Sequence, residues 1–383
     1  MRQVLLVISS FRWGGTNRAL QSMLKQINTK DYEVDIFVTV HSGNYTNSFS
    51  NCHIFPENKY LGTMLDQRAF QKGWGKVRFI ALRGLNKITK GRFQHWLYWK
   101  IGNSLIKDKN YDAVIAWGEG VPTVFVSHIN HPNKIGWIHW DYTQYTNGPT
   151  ERDIYDGFKS IVCVSEYTRK TFLSYYPEME SKVYAINNIL DTEEIKALAK
   201  EQMDVQYEEG VFNIVSVGRV SDIKRFSKIP EISKKIKDAG CEFHWYIVGP
   251  YSDDTEYHKI IDDSEAFGLK DSITLLGGKR NPYPYIANAD ILVCTSLSES
   301  WSYTINEAKV LGIPPVSTDF GAVYESIEDG VTGVISPIEE MHSHIIELIQ
   351  NRDKYESIQM NIESFAYNNT AIMETINSLI NDR

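Results

Sequence analysis

Two carboxylates eight residues apart, Glu299 and Glu307, stand in the stretch SLSESWSYTINEAKVLGIPP at 296–315. The apolar run ILVCTS at 291–296 leads into it and reads as a buried parallel strand. Glu299 then falls on a short polar loop at that strand's C-terminal end. A helix is predicted to start near Ser302 to Thr304, to carry Glu307, and to stop at Gly312, with Pro314 and Pro315 as breakers. In open α/β sheets this crevice is where ligands bind. The helix N-terminus offers N–H groups and a positive dipole end, which suit a phosphate. Acids for hydroxyls beside a site for phosphate point to a nucleotide sugar. Two surface glutamates near an ordinary helix start would show the same spacing.

Cations and glycines occupy comparable positions elsewhere. The run FNIVSVG at 212–218 ends at Gly218 and is followed by Arg219 and Lys224. Two cations beyond a strand end can clamp a diphosphate and stabilise it as a leaving group. Such a pair is ordinarily solvated surface, and it gains interest from sharing a sheet with the Glu299 loop. Near the start, SSFRWGGTNRAL at 9–20 sets Gly14 and Gly15 before a helix. Glycines there let backbone N–H groups approach an anionic or hydroxylated ligand. The motif lacks a full G-x-G-x-x-G, and a tight turn explains it equally. His139, in GWIHWDY at 136–142, closes a strand-like run, with Asp141 two residues on. No D-x-D occurs, so the common carboxylate site for a divalent metal is missing.

These residues need strands to hold them. Strand-like runs fall at 4–10, 34–40, 113–117, 134–139 and 160–165, then at 212–218, 243–249, 273–277, 291–296 and 314–319. Helix-like segments separate them, the first at about 17–27. Alternation of this kind predicts two doubly wound parallel sheets. The predicted domains are 1–188 and 211–362. A polar connecting helix is expected within a linker at 189–210. The last segment, 363–383, reads as a helix packing back on the first domain.

Composition bounds the class. A chain of 383 residues is too long for one core. Hydrophobic residues make up 42% and charged residues 23%, which excludes a disordered chain. VLLVI at 4–8 is too short for a signal peptide, and no apolar run approaches the roughly 18 residues of a membrane span. Cys52, Cys163, Cys241 and Cys294 are scattered without metal-ligand spacing, which points to reduced thiols in the cytoplasm. The abundant tyrosine and tryptophan fit sugar stacking as well as core.

The net charge of −8 is uneven. Residues 68–109 hold eleven Lys or Arg and one acid, Asp108, so the segment carries +10 and the remainder −18. Phe70, Trp74, Phe79, Phe93, Trp96, Tyr98 and Trp99 are interleaved. Basic residues mixed with aromatics read as a surface for anionic lipid headgroups. The acidic remainder argues against nucleic acid. A solvated helical face with inward aromatics is the plainer reading.

VGRVSDIK at 217–224, ITLLGGKRNPYPYIANADILVCTSLSES at 273–300, and EAKVLGIPPVSTDFGAVYESIEDGVTGVIS at 307–336 together resemble the nucleotide-binding half of a GT-B glycosyltransferase. Among these the chain is most similar to retaining family 4. The resemblance implies that Gly218, Arg219 and Lys224 hold the donor diphosphate. It implies that Glu299 binds the donor sugar near the reacting centre and Glu307 the ribose hydroxyls. Gly14 and Gly15 match the family's glycine turn, and His139 its histidine facing the donor sugar. The nucleotide base is expected near 277–282. Where the family usually has Gly-Phe-Gly, this chain has Ser300-Trp301-Ser302, followed by Tyr303 and Thr304. The later glycine pair is Gly321-Ala322. These departures put the donor sugar in doubt but remove no charged group.

The implied reaction moves a sugar from a UDP- or other NDP-sugar to an acceptor hydroxyl, with retention and without metal or cofactor. Glu299 would orient the sugar, Arg219 and Lys224 would offset the leaving charge, and the leaving phosphate would help deprotonate the acceptor. His139 would bind a sugar hydroxyl or brace the developing charge, and Asp141 could touch the acceptor. The two domains would close on the donor and exclude water. A lipid-linked glycan of a bacterial capsule, lipopolysaccharide or wall polymer suits the basic segment, on a protein peripheral to the inner face of the membrane. A non-catalytic scaffold partner, an epimerase or glycogen-type synthase on the same fold, and a nucleic-acid module stay open.

Overall fold

The computed structural model describes residues 1–12, 14–27, 31–43, 49, 51–65, 74–144, 152–251 and 255–382. Contacts divide the chain into two units, Met1–Ile189 with Asn368–Arg383, and Leu190–Tyr367.

The first unit holds seven parallel strands: β1 Arg2–Ile8, β2 Tyr32–Val38, β3 His53–Ile54, β4 Ala113–Trp117, β5 Lys134–Ile138, β6 Ser160–Cys163 and β7 Val183–Ala185. Their order is β3-β2-β1-β4-β5-β6-β7. The central strands are nearly continuous apolar runs, as sheets covered on both faces require. Leu5, Leu6 and Val7 of β1 are fully buried. The strand order reverses between β1 and β4, where Ile8 pairs with Trp117. The loops after these two residues therefore emerge side by side.

The second unit holds β8 Phe212–Val217, β9 Phe243–Val248, β10 Ile273–Gly277, β11 Ile291–Cys294, β12 Pro315–Thr318 and β13 Val334–Ser336. Their order is β10-β9-β8-β11-β12-β13, again all parallel, with the reversal between β8 and β11. Trp245 is fully buried in this core, and its indole N–H donates to Ser216 Oγ at 3.0 Å. Ser216 passes the bond on to the Val293 carbonyl at 2.7 Å, so no polar atom of that pair is left without a partner.

Three strands escape the sequence pattern. β3, β7 and β13 are two or three residues long, too short to show a period. The segment 189–210 holds the expected connecting helix. Its helix, Thr192–Leu198, lies within the second unit and packs on helices Tyr283–Ala287 and Tyr303–Val310. Asn281 Nδ2 fastens it by donating to the Leu198 carbonyl at 2.8 Å. Helix Arg352–Glu363 also belongs to the second unit, while helix Asn369–Asn381 belongs to the first. There Asn133 Nδ2 donates to the carbonyls of Leu379 and Ile380, both at 3.1 Å. All four cysteines are free thiols.

Candidate active site

The reversal between β8 and β11 gathers the charged residues of the second unit. Gly218, just after β8, has φ 156°, a backbone that L side chains rarely adopt, and a Cβ there would lie 3.2 Å from Lys224 Cε. The stem of Lys224 lies across that glycine, and its ammonium donates to Glu299 Oε1. Ser296 Oγ donates to the same oxygen at 2.7 Å. Both charged side chains are mostly buried, at 23% and 17% exposure. Burial works against the Lys224 charge, but Glu299 and, more weakly, Glu307 outweigh it and raise its pKa.

Two loops are stitched to hold this pair. Arg225 adopts the left-handed region, at φ 50°. Its guanidinium donates to the carbonyls of Thr295 and Ser296 at 2.9 and 3.0 Å. Thr295 Oγ1 donates back to the Lys224 carbonyl at 2.6 Å, and Leu297 N to the Ile223 carbonyl at 2.7 Å. Gly249, after β9, allows equally close approach: a Cβ there would fall 1.7 Å from the Gly218 carbonyl oxygen. Arg225, Ser296 and Gly249 were not singled out in the sequence. The signal for Arg225 and Gly249 is spatial, since their partners lie tens of residues away.

Helix Tyr303–Val310 begins at Ser302, whose hydroxyl caps it by accepting from Ile305 N. Glu307, one turn in, is fully buried. Tyr303 and Thr304 are half-buried in the first turn, and Ser300 is half-buried before it. Trp301 is different. It is buried edge-on against Tyr303 at 4.6 Å, so its ring serves the core. Arg219 is exposed and forms no ion pair among the described residues. Lys224, Glu299 and Glu307 thus come together electrostatically, while Arg219 projects from the same loop.

The first unit carries a cleft of about 320 Å³ at its own reversal. Ser9, Ser10, Arg12 and Gly14 line one side, and Trp117, Gly118, Glu119 and Trp140 the other. Gly14 precedes helix Gly15–Gln26, and a Cβ on Gly14 or Gly15 would meet nothing within 4 Å. Asn17 Nδ2 shapes the turn by donating to the carbonyls of Ser10 and Arg12, at 2.8 and 2.7 Å. Glu119 Oε1 accepts the backbone N–H of His139 and, at 2.6 Å, that of Trp140.

His139 follows β5, but its ring packs on Trp117 with centroids 5.0 Å apart. Its Nε2 is buried with no hydrogen-bond partner among the described residues. Burial pulls its pKa down to about 3, so the imidazole is neutral at physiological pH. The side chain that reaches the cleft is the next one, Trp140. Asp141 is buried and accepts from Thr143 N at 3.0 Å and Tyr167 Oη at 3.2 Å, a turn-forming role.

The basic segment forms helices Trp74–Ile88 and Arg92–Ile106. Arg68, Phe70 and Lys72 lie outside the described residues. Lys109 is not free surface: it pairs with the buried Asp35 at 2.6 Å. Tyr98 is core, with its hydroxyl accepting from Gln94 at 2.7 Å. By contrast Val77, Ile80, Ile88, Trp96 and Trp99 are exposed.

Two all-parallel α/β units, each with candidate site residues at its strand-order reversal, define the GT-B class of architecture. Residues 13–194 match the family described as Glycosyltransferase Family 4, and residues 200–365 match Glycosyl transferases group 1. The chain is a GT-B glycosyltransferase of this group 1, family 4 type. It is similar to an uncharacterized glycosyltransferase of Methanocaldococcus jannaschii, 22% identical over 42% of this chain and 39% of that one. It is also similar to the amylovoran biosynthesis glycosyltransferase AmsK of Erwinia amylovora, 28% identical over 32% of each. These matches span well under half the length of the curated relatives. In fold it is similar to Anabaena HepE solved with UDP and glucose, with TM-score 0.76, 15% identity, and full coverage of both chains.

Proposed function

We propose that the chain transfers a sugar, with retention and without a metal, from a UDP- or GDP-sugar to a hydroxyl of a lipid-linked glycan in bacterial surface polysaccharide synthesis. The observation that carries the donor half is Lys224, mostly buried beside Gly218 and paired to Glu299. A leaving diphosphate entering there would take Lys224 as its counter-charge, with Arg219 reaching it from the same loop. Glu299, released from Lys224 and still bonded by Ser296, would accept a donor-sugar hydroxyl. Glu307 would take the ribose hydroxyls, Gly14 and Gly15 would admit the donor closely, and Ser300, Ser302, Tyr303 and Thr304 would offer polar contacts. UDP and glucose in the HepE structure support the donor class, and the amylovoran relative supports the polysaccharide setting.

A second observation supports the membrane side. Helices Trp74–Ile88 and Arg92–Ile106 expose Val77, Ile80, Ile88, Trp96 and Trp99 among Lys76, Arg78, Arg83, Lys87, Lys90, Arg92 and Lys100. None of these cations forms an ion pair among the described residues. Apolar teeth among unpaired cations suit an anionic lipid surface. Among the described residues no helix is long and apolar enough to cross a membrane.

The test is a thermal-shift screen of UDP, GDP, ADP and their sugar conjugates on wild type and Glu307→Ala. A nucleotide at a hundred times its Kd should stabilise by about 2.7 kcal/mol. Stabilisation of the wild type, much reduced in the variant, supports the donor and ribose roles. No stabilisation by any nucleotide would leave the scaffold alternative. Product anomers read by NMR, with and without a chelator, test retention and metal independence.

A further inference from the structure

Two residues beyond Glu307, helix Tyr303–Val310 carries a second buried charge, Lys309, at 7% exposure. No carboxylate pairs with it among the described residues. Its ammonium donates to the Ser326 carbonyl at 2.6 Å and lies 4.0 Å from the centre of the Phe365 ring. A desolvated cation is attracted to the face of such a ring. Asn306 grips the same serine: its Nδ2 donates to Ser326 Oγ at 3.0 Å and to the Ser302 carbonyl at 2.8 Å.

Ser326 closes the short turn Gly321–Glu325 that follows β12. The other end of this loop is tied as well. Thr318 Oγ1 donates to the Ser296 carbonyl at 2.5 Å, and Ser296 Oγ donates to Glu299. The loop 318–326 is therefore fastened to the Glu299 segment at its start and to the Glu307 helix at its end. Lys309 and Asn306 make the second fastening.

Stability alone accounts poorly for a lysine here. A buried ammonium without a counter-charge destabilises a fold, and a hydrophobic residue of similar volume is often neutral or better. A methionine would fill the space but could neither donate to Ser326 nor place a cation on Phe365. We infer that Lys309 is a positioning residue for donor binding, whose ammonium fixes the 318–326 loop against the helix that presents Glu307. Its bearing on the donor rests on the transfer reading above. The tie between loop and helix does not.

Burial brings the Lys309 pKa down from 10.5 to about 8, and burial is the whole cause. Glu307, two residues back, points to another face of the helix. Glu325 and Glu328 near Ser326 and Glu363 near Phe365 do not act on it. Neither do Glu193, Glu194 and Lys196 of the packed helix Thr192–Leu198, nor Arg352, Asp353, Lys354 and Glu356 of helix Arg352–Glu363. Tyr367 stays neutral, its pKa raised by burial. The tie therefore loses its charge as pH rises through about 8. The destabilisation from burying that charge is present below about 8 and is relieved between there and 10.5. Binding and stability respond to this one proton with opposite signs.

The experiment titrates UDP, with GDP and ADP alongside, into wild type, Lys309→Met and Lys309→Arg at about pH 7 and about pH 9, either side of that transition. Denaturant midpoints and hydrogen exchange of residues 321–327 are read without nucleotide. Wild type should bind its nucleotide roughly tenfold more weakly at the higher pH, the scale of one bond to a charged group. Lys309→Met should be weak at both, should fold at least as stably as wild type at the lower pH, and should exchange faster at 321–327. Lys309→Arg keeps its charge and should bind equally at both pH values. Wild-type affinity that ignores pH would overturn the proposal, as would full affinity in Lys309→Met. An arginine variant that loses affinity in step with wild type would assign the proton to another group and also sink it. If that variant does not fold, the methionine comparison decides. Nucleotide binding that ignores Lys309 removes the positioning role alone. Faster exchange in Lys309→Met without nucleotide binding by any of the three proteins removes the donor reading and leaves the tie standing.

Discussion

At the scale of the residue, the chemistry turns on which charges are held and which are suppressed. The pKa of Lys224 is raised and its side chain is paired, so it stays a cation, as its proposed role against a diphosphate requires. Lys224→Met is expected to lower donor turnover by roughly 10²–10³-fold, the scale seen when one preorganised charge-stabilising group is removed. A loss under about tenfold in a donor-hydrolysis assay would remove Lys224 from that role. His139 shows the opposite design. Its folded pKa, about 3, lies below the ordinary 6.5, because burial disfavours the imidazolium. The unfolded chain therefore binds this proton first as pH falls. Its depressed pKa adds no pH-dependent cost above about pH 6.5, and stability declines as pH drops from there towards 3. His139→Gln should flatten that part of the stability profile, read by denaturant midpoints at successive pH values. An unchanged slope would mean the ring is protonated in the fold. Glu299, Glu307 and Lys224 were legible in the sequence because each sits at a fixed offset from a strand end. Glu119 was not, since its contacts are with amides that follow another strand.

At the scale of the element, close backbone approach and exposed faces decide the outcome. Gly249 admits the Gly218 carbonyl where a methyl group would overlap it. Gly249→Ala must push the two loops apart. The expected result is loss of nucleotide-induced stabilisation together with a destabilisation of about 1–3 kcal/mol, the usual cost of overpacking. Retention of both would show that the loops can yield. Helix Trp74–Ile88 makes the complementary case. Ile80 and Ile88 are 61% and 82% exposed, so they contribute little to the core. Replacing both with Asp should change stability by less than ~1 kcal/mol, since exposed positions usually tolerate change. It should cut co-sedimentation with anionic vesicles several-fold, while neutral vesicles bind weakly in either case. Equal, poor binding of the wild type to both vesicle types would remove the membrane reading. The sequence reported this segment's charge correctly, but it could not show that Lys109 and Tyr98 turn inward. That depends on Asp35 being buried beneath Lys109 and on Gln94 meeting Tyr98 one turn away.

At the scale of the whole molecule, the first unit is completed by the far end of the chain. Ile376, Leu379 and Ile380 are buried in helix Asn369–Asn381, and Asn133 donates to two of its carbonyls. Burying each such side chain is worth roughly 1.5–3 kcal/mol. Ending the chain after Tyr367 should therefore lower hydrogen-exchange protection in β1–β7 by several kcal/mol and leave β8–β13 unchanged. Equal loss in both sheets, or in neither, would contradict that assignment of the helix. By itself the sequence determined that there are two parallel α/β units, where most strands lie, and which strand ends carry charge. Those features are local: apolar runs bury on both faces of a sheet, and breakers and caps act within a few residues. Only the tertiary structure decided that Thr192–Leu198 joins the second unit, that Trp301 is core, and that Trp140 and Glu119 line the cleft. Each of these depends on a partner distant in the chain, and the period of a sequence does not record which distant segments will meet.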